Sequence, residues 1–586
     1  MSILFLKKTQ KIILKTVANF GLEWYNKKER QKQREEMHMK RLTLRLCSLL
    51  VAAALLIAFT GCTPAEENTG AGYMFTAVLP GDPDCLDPQF TENENAEIVL
   101  RNIMEGLMRP DSTGKPVPAG ASEYTVSEDG LSYMFTLREN SYWFNKDMDS
   151  DRPERVTSRD YVFAFRRLVD PSMRSPYGRE FACIKNAGAI MAGEDSPQHL
   201  GVTAPDGNTV IFELEYPNPD FLTLLCRTCA VPCNEEFFTA AEGRYGLDDS
   251  TLLCNGPFYL TKWNYDQYST GNFLTFRKCS LYHDPDAVFP VSLQFNIMHT
   301  REDAEADFLD GGEDVIITDR CYPKYLHDAK FSVQTSQCTT MGLIFNPDDE
   351  NMKNASLRKA LSYSIDRTKL AEELSEDAVP AYGIVPPATT LLGSSYRSIQ
   401  ADEPLADPYD PKAASDLFAR ANAELDLGAA GSIRILVPST MTDTDALLAM
   451  CQEWQDLFGY YIGIETVTPD ELDDRIADGN YSIALYSLTP AHDGCLSAME
   501  TFSDHAVLFG FRSGDFTKLL DGLSRPTDLS ATAALCADME HIILQTQTFI
   551  PLFYKTTYLI TTADNKDIRF DPFTRTADFK EAKHFE

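Results

Sequence analysis

The sequence contains no H-E-x-x-H, no G-x-S-x-G and no P-loop, the patterns that would mark a zinc protease, an α/β-hydrolase nucleophile or a phosphate-cradling loop. Its nine histidines are dispersed without metal-ligand spacing. Basic residues are also scarce, with 53 Lys and Arg against 87 Asp and Glu, a formal net charge of −34. A chain so acidic is repelled by nucleic acid and by anionic lipid surfaces. No internal repeat and no low-complexity domain interrupts it. The apolar stretch LLVAAALLIAFTGCTP at 49–64 lies in an uncharged run from Leu46 to Gly61, 16 residues long. That is short against the about 20 needed for a membrane span.

Cysteine is present, but not as a framework. There are 14 cysteines in 586 residues, scattered rather than dense as in a small disulfide scaffold. Cys226, Cys229 and Cys233 form a C-x2-C-x3-C cluster with no fourth ligand nearby, within FLTLLCRTCAVPC. That context predicts small buried side chains rather than a metal site, and no metal or organic cofactor is called for.

Lys40, Arg41 and Arg45 precede the apolar run, and Thr60 and Gly61 close it. Charged, then apolar, then small is the order of an export signal. A buried helix would instead carry polar residues at helical period, and only Cys47 and Ser48 interrupt Leu46 to Ala58. The tetrad Phe59-Thr60-Gly61-Cys62 resembles the bacterial lipobox, which implies lipid attachment at Cys62, with Phe59 standing where Leu is usual. TPAEENTGAG then reads as a flexible tether. Residues 1–36 are long and basic for a signal peptide, and Met37 or Met39 is the better start. Residues 1–61 carry 12 basic and 4 acidic side chains, so the remainder carries 41 and 83, a net charge of −42. Such scattered acid keeps an exported protein soluble, and 525 residues suffice for more than one domain.

Beyond the tether, strand-like and helix-like segments alternate. Strands are expected at Phe75–Leu79, Tyr133–Leu137, Thr209–Leu214, Phe273–Phe276, Leu293–Ile297, Val315–Thr318, Ile433–Val437, Ile464–Val467 and Ile483–Tyr486. Helices are expected at Ala96–Met108, Ser158–Leu168 with Thr157 as cap, Leu357–Ile365 and Ala446–Phe458. In SEDGLSYMFTLREN an Asp-Gly turn precedes a strand with Tyr133, Phe135 and Leu137 on one face. The organisation is α/β.

The ordered motifs are LDP at 86–88, IMEGLMRPDSTGKPVPAGA at 103–121, SEDGLSYMFTLREN at 127–140 and VTSRDYVFAFRRLVDPSMRSPY at 156–177. NGPFYL follows at 255–260, FNPDDENMKNASLRKALSYSIDR at 345–367 and IPLFYKTTYLI at 550–560. Together they resemble the family 5 extracellular solute-binding proteins, the oligopeptide and dipeptide receptors of ABC importers, over nearly all of residues 73–586. The resemblance implies a two-lobed, periplasmic-binding-protein-like α/β fold (type II, large peptide-receptor class) with an extra inserted domain. It places the first lobe at 73–112, 230–338 and 548–586, the inserted domain at 113–229 and the second lobe at 339–547. It further implies a monomer that closes around a peptide or related small solute and docks on the permease subunits, whose ATPases supply the energy. Such receptors hold extended peptides by their main chain, which gives affinity without sequence choice.

Carried over position by position, the resemblance implies ligand contacts at Glu92, at Tyr177 of the SPY that ends its helix segment, and at Ser487, Leu488 and Thr489. It pairs Cys338 with a cysteine at the position of Thr489, for which Cys495 is the nearest substitute. Where peptide receptors carry an aspartate for the ligand's α-ammonium, LTPAHDG at 488–494 has Ala491, and Leu485 replaces an arginine found before it in some members. Asp493, two residues on, is the substitute acid. Without it an ionised amine would be buried unpaired, at a cost of several kcal/mol. Two other readings are a secreted hydrolase and a receptor-like sensor or chaperone using the same cleft. Asp473-Asp474 and His492-Asp493 are candidate catalytic pairs for a hydrolase, but adjacent residues of this sort read as solvated loops or helix faces.

Overall fold

The computed structural model describes residues 72–148, 152–269, 271–320, 323–374, 378–391, 393–400, 406–425, 433–441, 444–520 and 528–585. The leader, Cys62 and the tether up to residue 71 lie outside them.

Two antiparallel strands, Phe331–Phe345 and Phe549–Thr562, organise the molecule. They pair along their length from Phe331 opposite Thr562 to Ile344 opposite Phe549, with register shifts at Gln337/Thr339 and Met341/Gly342. Strand Val315–Thr318 pairs with the far end of Phe549–Thr562, through Thr318 opposite Tyr558 and Val315 opposite Thr561. At the other end, Ile483–Leu488 pairs with Thr340 to Phe345. The eleven-stranded sheet of the described residues therefore has two halves that share only these two central strands. Two chain crossings through a continuous pair of strands are the arrangement of a two-lobed protein that bends about a hinge.

In the first half, Met74–Leu79 runs parallel to Ser292–Ile297 in full register, and Phe258–Asn264 and Phe273–Lys278 extend the edge antiparallel. In the second half, Arg434–Pro438 lies parallel to Gly463–Val467 and to the start of Ile483–Leu488. The strands of this half are covered on both faces. Ile483 and Leu485 enter one buried cluster with Leu357, Leu361 and Ile365, while Ala484 and Leu488 enter another with Met499 and Met539. Alternation of side chains across a strand puts neighbours in different cores, which is why such strands read as continuous apolar runs.

A separate four-stranded sheet, Ala121–Val126, Ser132–Leu137, Thr209–Glu213 and Val202–Thr203, lies within residues 121–213. Tyr133, Phe135 and Leu137 all face inward, as the sequence period predicts. The helix Ser158–Val169 starts with a capping arrangement in which Asp160 accepts the Thr157 amide at 2.7 Å. Its Phe165 packs on Phe181 and Phe212, in a core continuous with that of the first half.

The helix expected over Ala96–Met108 is a correction. It runs Glu94–Ile103, and Met108 opens a short strand. Met104 is already extended, with its amide still bonded to the Leu100 carbonyl. The end is set by a neighbour far along the chain: Gly256 sits so close that a Cβ there would be 2.6 Å from the Ile103 carbonyl carbon. Hydrophobic period continues past Ile103, but tertiary packing ends the helix. No helix among the described residues is long and apolar enough to cross a membrane.

Candidate functional site

A cavity of about 790 Å³ lies where the two halves meet. One side is built from the turn Asp111–Gly114, from Arg101, from Thr223 to Arg227, and from the C-terminal stretch between Asp567 and Glu581. Gln334 and Ser336 of a central strand contribute, and the second half supplies Ala388, Thr390, His492 and Asp493. Six carboxylates line it (Asp111, Asp493, Asp567, Asp571, Asp578, Glu581) against the guanidinium groups of Arg101, Arg227 and Arg569. The wall thus carries an excess of acid, which favours a cationic or amine-bearing guest.

Most of these charges are held by protein. Arg569 meets Glu581 at 2.6 Å and donates to the Pro110 carbonyl at 2.8 Å. Arg101 donates to the Cys226 carbonyl at 3.0 Å and approaches Asp571 to 3.8 Å. Asp578 is paired with Arg109. Arg227 joins the halves, donating to the Ala491 carbonyl while its other amino group meets Glu180 at 3.2 Å.

Asp493 is half-buried in the wall, with Oδ2 accepting the Thr390 hydroxyl at 2.5 Å. Burial pushes its pKa up to about 6, and the Asp571 charge adds to the rise despite the opposing hydrogen bond. A carboxyl so placed gains from a cation, because the cation relieves both desolvation and repulsion by Asp571. Next to it, His492 is buried, and its Nδ1 accepts the Gly494 amide at 3.0 Å. Burial, then the Arg227 charge, drives its pKa down to about 3, so it is a neutral imidazole that props the loop. Asp473 and Asp474 are exposed on the helix Pro469–Ala477.

Of the ligand contacts carried over by resemblance, Asp493 alone is on the wall of this cavity. Tyr177 is buried one layer behind it. Its hydroxyl donates to the Thr91 carbonyl and lies 3.4 Å from Glu97, and its ring sits 5.8 Å from the Arg227 guanidinium carbon. Burial drives its pKa upward, so it stays a neutral donor. Glu92 is exposed beside Thr91. Ser487 and Thr489 are exposed and Leu488 is buried. Ser487 lies opposite Met341 and Leu488 opposite Thr340, while the Thr489 hydroxyl is 2.7 Å from that of Thr339.

Cys338 and Cys495, expected as a pair, are not joined in the structure and keep different neighbours. Cys338 donates to the Pro572 carbonyl at 3.2 Å, whereas Cys495 lies 3.0 Å from Cys536. Cys229 and Cys233 are buried in the first core and Cys226 is half-buried. No group of three or more His, Cys, Asp and Glu able to hold a metal occurs among the described residues.

The residues missed in the sequence are Arg101, Arg227, Arg569 and Asp571. They come from distant segments, and only the alternation of acid and base in RFDPFTRTADFKE at 569–581 hinted that the C-terminal stretch carries a polar wall.

A two-lobed α/β protein enclosing between its lobes a large cavity with charged side chains in its wall has the build of a solute-binding protein. The description of bacterial extracellular solute-binding proteins, family 5, matches residues 115–506, and the chain belongs to that family. It is 24% identical over 534 residues to the oligopeptide-binding protein OppA of Bacillus subtilis, covering 88% of this chain and 94% of that one. It is also 24% identical over 518 residues to the probable deoxycholate-binding periplasmic protein YgiS of Escherichia coli, covering 87% and 92%. Among solved structures, the substrate-binding domain of an oligopeptide ABC transporter from Bacillus anthracis superposes with a TM-score of 0.71 at 24% identity. That match covers 89% of this chain and all of the other.

Proposed function

We propose that this protein is an extracytoplasmic lipoprotein, anchored through Cys62 and acting as a monomer, that captures an amine-bearing oligopeptide or related small solute and delivers it to an ABC permease. In this reading residues 73–112, 230–338 and 548–586 form one lobe, 113–229 an inserted domain and 339–547 the other lobe. The observation that carries it is Asp493, half-buried in the wall of the cavity between the halves with its pKa raised to about 6 and Asp571 adding to the rise. That pair offers a place for a ligand ammonium although Ala491 occupies the usual acid's position. Main-chain partners for an extended ligand would come from Ser487 to Thr489, with Glu92 and Tyr177 supporting the opposite side.

Thermal-shift screening with short peptides, coupled to mass spectrometry of material that co-purifies, tests the proposal. Peptides with a free amino terminus should raise Tm and be recovered intact, while N-acetylated forms should bind about tenfold or more weakly. Chemical turnover of the bound solute, or equal affinity for the acetylated form, would sink this reading.

A further inference from the structure

Cys495 opens the helix Cys495–His505, and Cys536 lies midway along the helix Leu529–Thr546. Both are fully buried, in the cluster that holds Leu496, Met499, Met539 and Tyr396. Their sulfur atoms are 3.0 Å apart, about 1 Å more than a disulfide bond and closer than sulfurs approach in ordinary packing. We propose that these two thiols are joined by a disulfide in the mature protein, fastening the cavity wall of the second half to the helix behind it.

The surroundings give the cross-link its consequence. Cys495 follows directly on His492-Asp493-Gly494, and Gly494 bridges Thr390. One turn beyond Cys536, Glu540 accepts the amides of Ile384 and Val385 and pairs with Arg397 at 3.0 Å. The helix Leu529–Thr546 therefore supports both loops that carry cavity residues, Thr390 on one and Asp493 on the other. A covalent bond at Cys495–Cys536 would fix their separation.

The step balances as thiol–disulfide exchange with a small disulfide oxidant. One protein thiolate attacks a sulfur of glutathione disulfide, forming a mixed disulfide and releasing one glutathione thiolate, which takes up a proton. The second protein thiolate then attacks the mixed disulfide at the protein sulfur and releases the second glutathione. Two cysteine thiols are oxidised and one disulfide is reduced to two thiols. The hydrogen bond with Cys536 and then burial hold Cys495 away from the reactive thiolate form in the folded state, and burial does the same for Cys536. The bond accordingly forms while the chain folds, and once enclosed it resists reduction. An exported location, proposed above, supplies the oxidising conditions.

Full-length protein refolded in glutathione redox buffer, then denatured, alkylated with iodoacetamide and digested with trypsin, gives the test. Cleavage after Arg475, Arg512, Lys518 and Lys555 isolates Cys495 in residues 476–512 and Cys536 in residues 519–555. The expected result is one linked species joining these two peptides, split by reductant, with the other described cysteines alkylated. Recovery of both peptides in alkylated form, or their linkage to other cysteines instead, overturns the proposal. Protein refolded in reductant should melt about 5 °C lower, a difference that Cys536→Ala abolishes. Persistence of the difference in that variant also overturns the proposal. Because the peptide mapping uses the unaltered chain, its result holds whether or not the variant folds, and it is independent of which solute the cavity holds.

Discussion

The Asp493 carboxylate accepts the Thr390 hydroxyl at 2.5 Å, and the Thr390 amide donates to the Asp493 carbonyl at 2.6 Å. Two loops of the second half are thus locked at the one carboxyl of the wall whose pKa is pushed up to about 6.

An amine-bearing ligand needs Asp493 ionised, so its affinity should rise with pH up to about 6, by at most tenfold per unit, and level off above. Because the Thr390 hydrogen bond favours the ionised form, Thr390→Val should move that midpoint upward. A rise of one unit lowers affinity about fivefold at pH 6, approaching about tenfold below pH 5, and leaves it nearly unchanged at pH 8. Calorimetric titration at three pH values checks this, and a profile unaltered by the substitution contradicts it.

His492 predicts acid lability. Its folded pKa of about 3 lies below its ordinary value near 6.5, so the unfolded chain binds more protons between those limits. Stability is therefore lost as pH falls through 6.5 towards 3, by about 5 kcal/mol at most from this group. Asp493 acts with the opposite sign: its raised pKa gives stability that is present below about 4 and lost as pH rises through about 6. His492→Gln, whose amide oxygen can take over the Gly494 amide, should flatten the acid limb in urea denaturation between pH 4 and 6.5.

Glu540 is fully buried and accepts two backbone amides as well as Arg397. Glu540→Gln keeps an acceptor but removes the charge opposite a largely buried guanidinium. A loss of about 3–5 kcal/mol is expected, together with weaker ligand binding because the loop at Ala388 and Thr390 loosens. Urea midpoints and Kd measured together test the coupling. A stable variant with unchanged Kd would show that the loop does not depend on this carboxylate.

Gly342 lies where the central strands shift register, and a Cβ there would collide with the Phe549 ring and come within 2.7 Å of the Ile550 carbonyl. Phe549 is buried and the carbonyl is backbone, so neither can retreat. Gly342→Ala should cost about 1–3 kcal/mol and change the ease with which the halves bend. Small-angle scattering with and without ligand would reveal the second effect.

Much of the fold was legible locally. Tyr133, Phe135 and Leu137 at period two, and Leu357 and Leu361 at helical spacing, turn inward as their spacing requires, because side-chain direction follows from backbone geometry within one element; Ile365 joins the same cluster although the helix expected to reach it ends at Tyr363. The end of the helix at Ile103 was not legible, since it depends on Gly256. The cavity was legible at Asp493 only. Arg101, Arg227, Arg569 and Asp571 are separated by more than a hundred residues in places, and no local pattern announces that they share a wall.

The sequence by itself determined the alternation of strand and helix, the acidic charge and, through its ordered motifs, membership of the solute-binding family. These are properties of neighbouring residues and of composition, and burial acts on them one element at a time. Tertiary structure alone decided that Tyr177 stands behind the wall, that Cys495 meets Cys536 rather than Cys338, and that Asp493 shares its cavity with Asp571. Each of those outcomes depends on which distant segments the two central strands bring together, and on the desolvation that only a closed interior imposes.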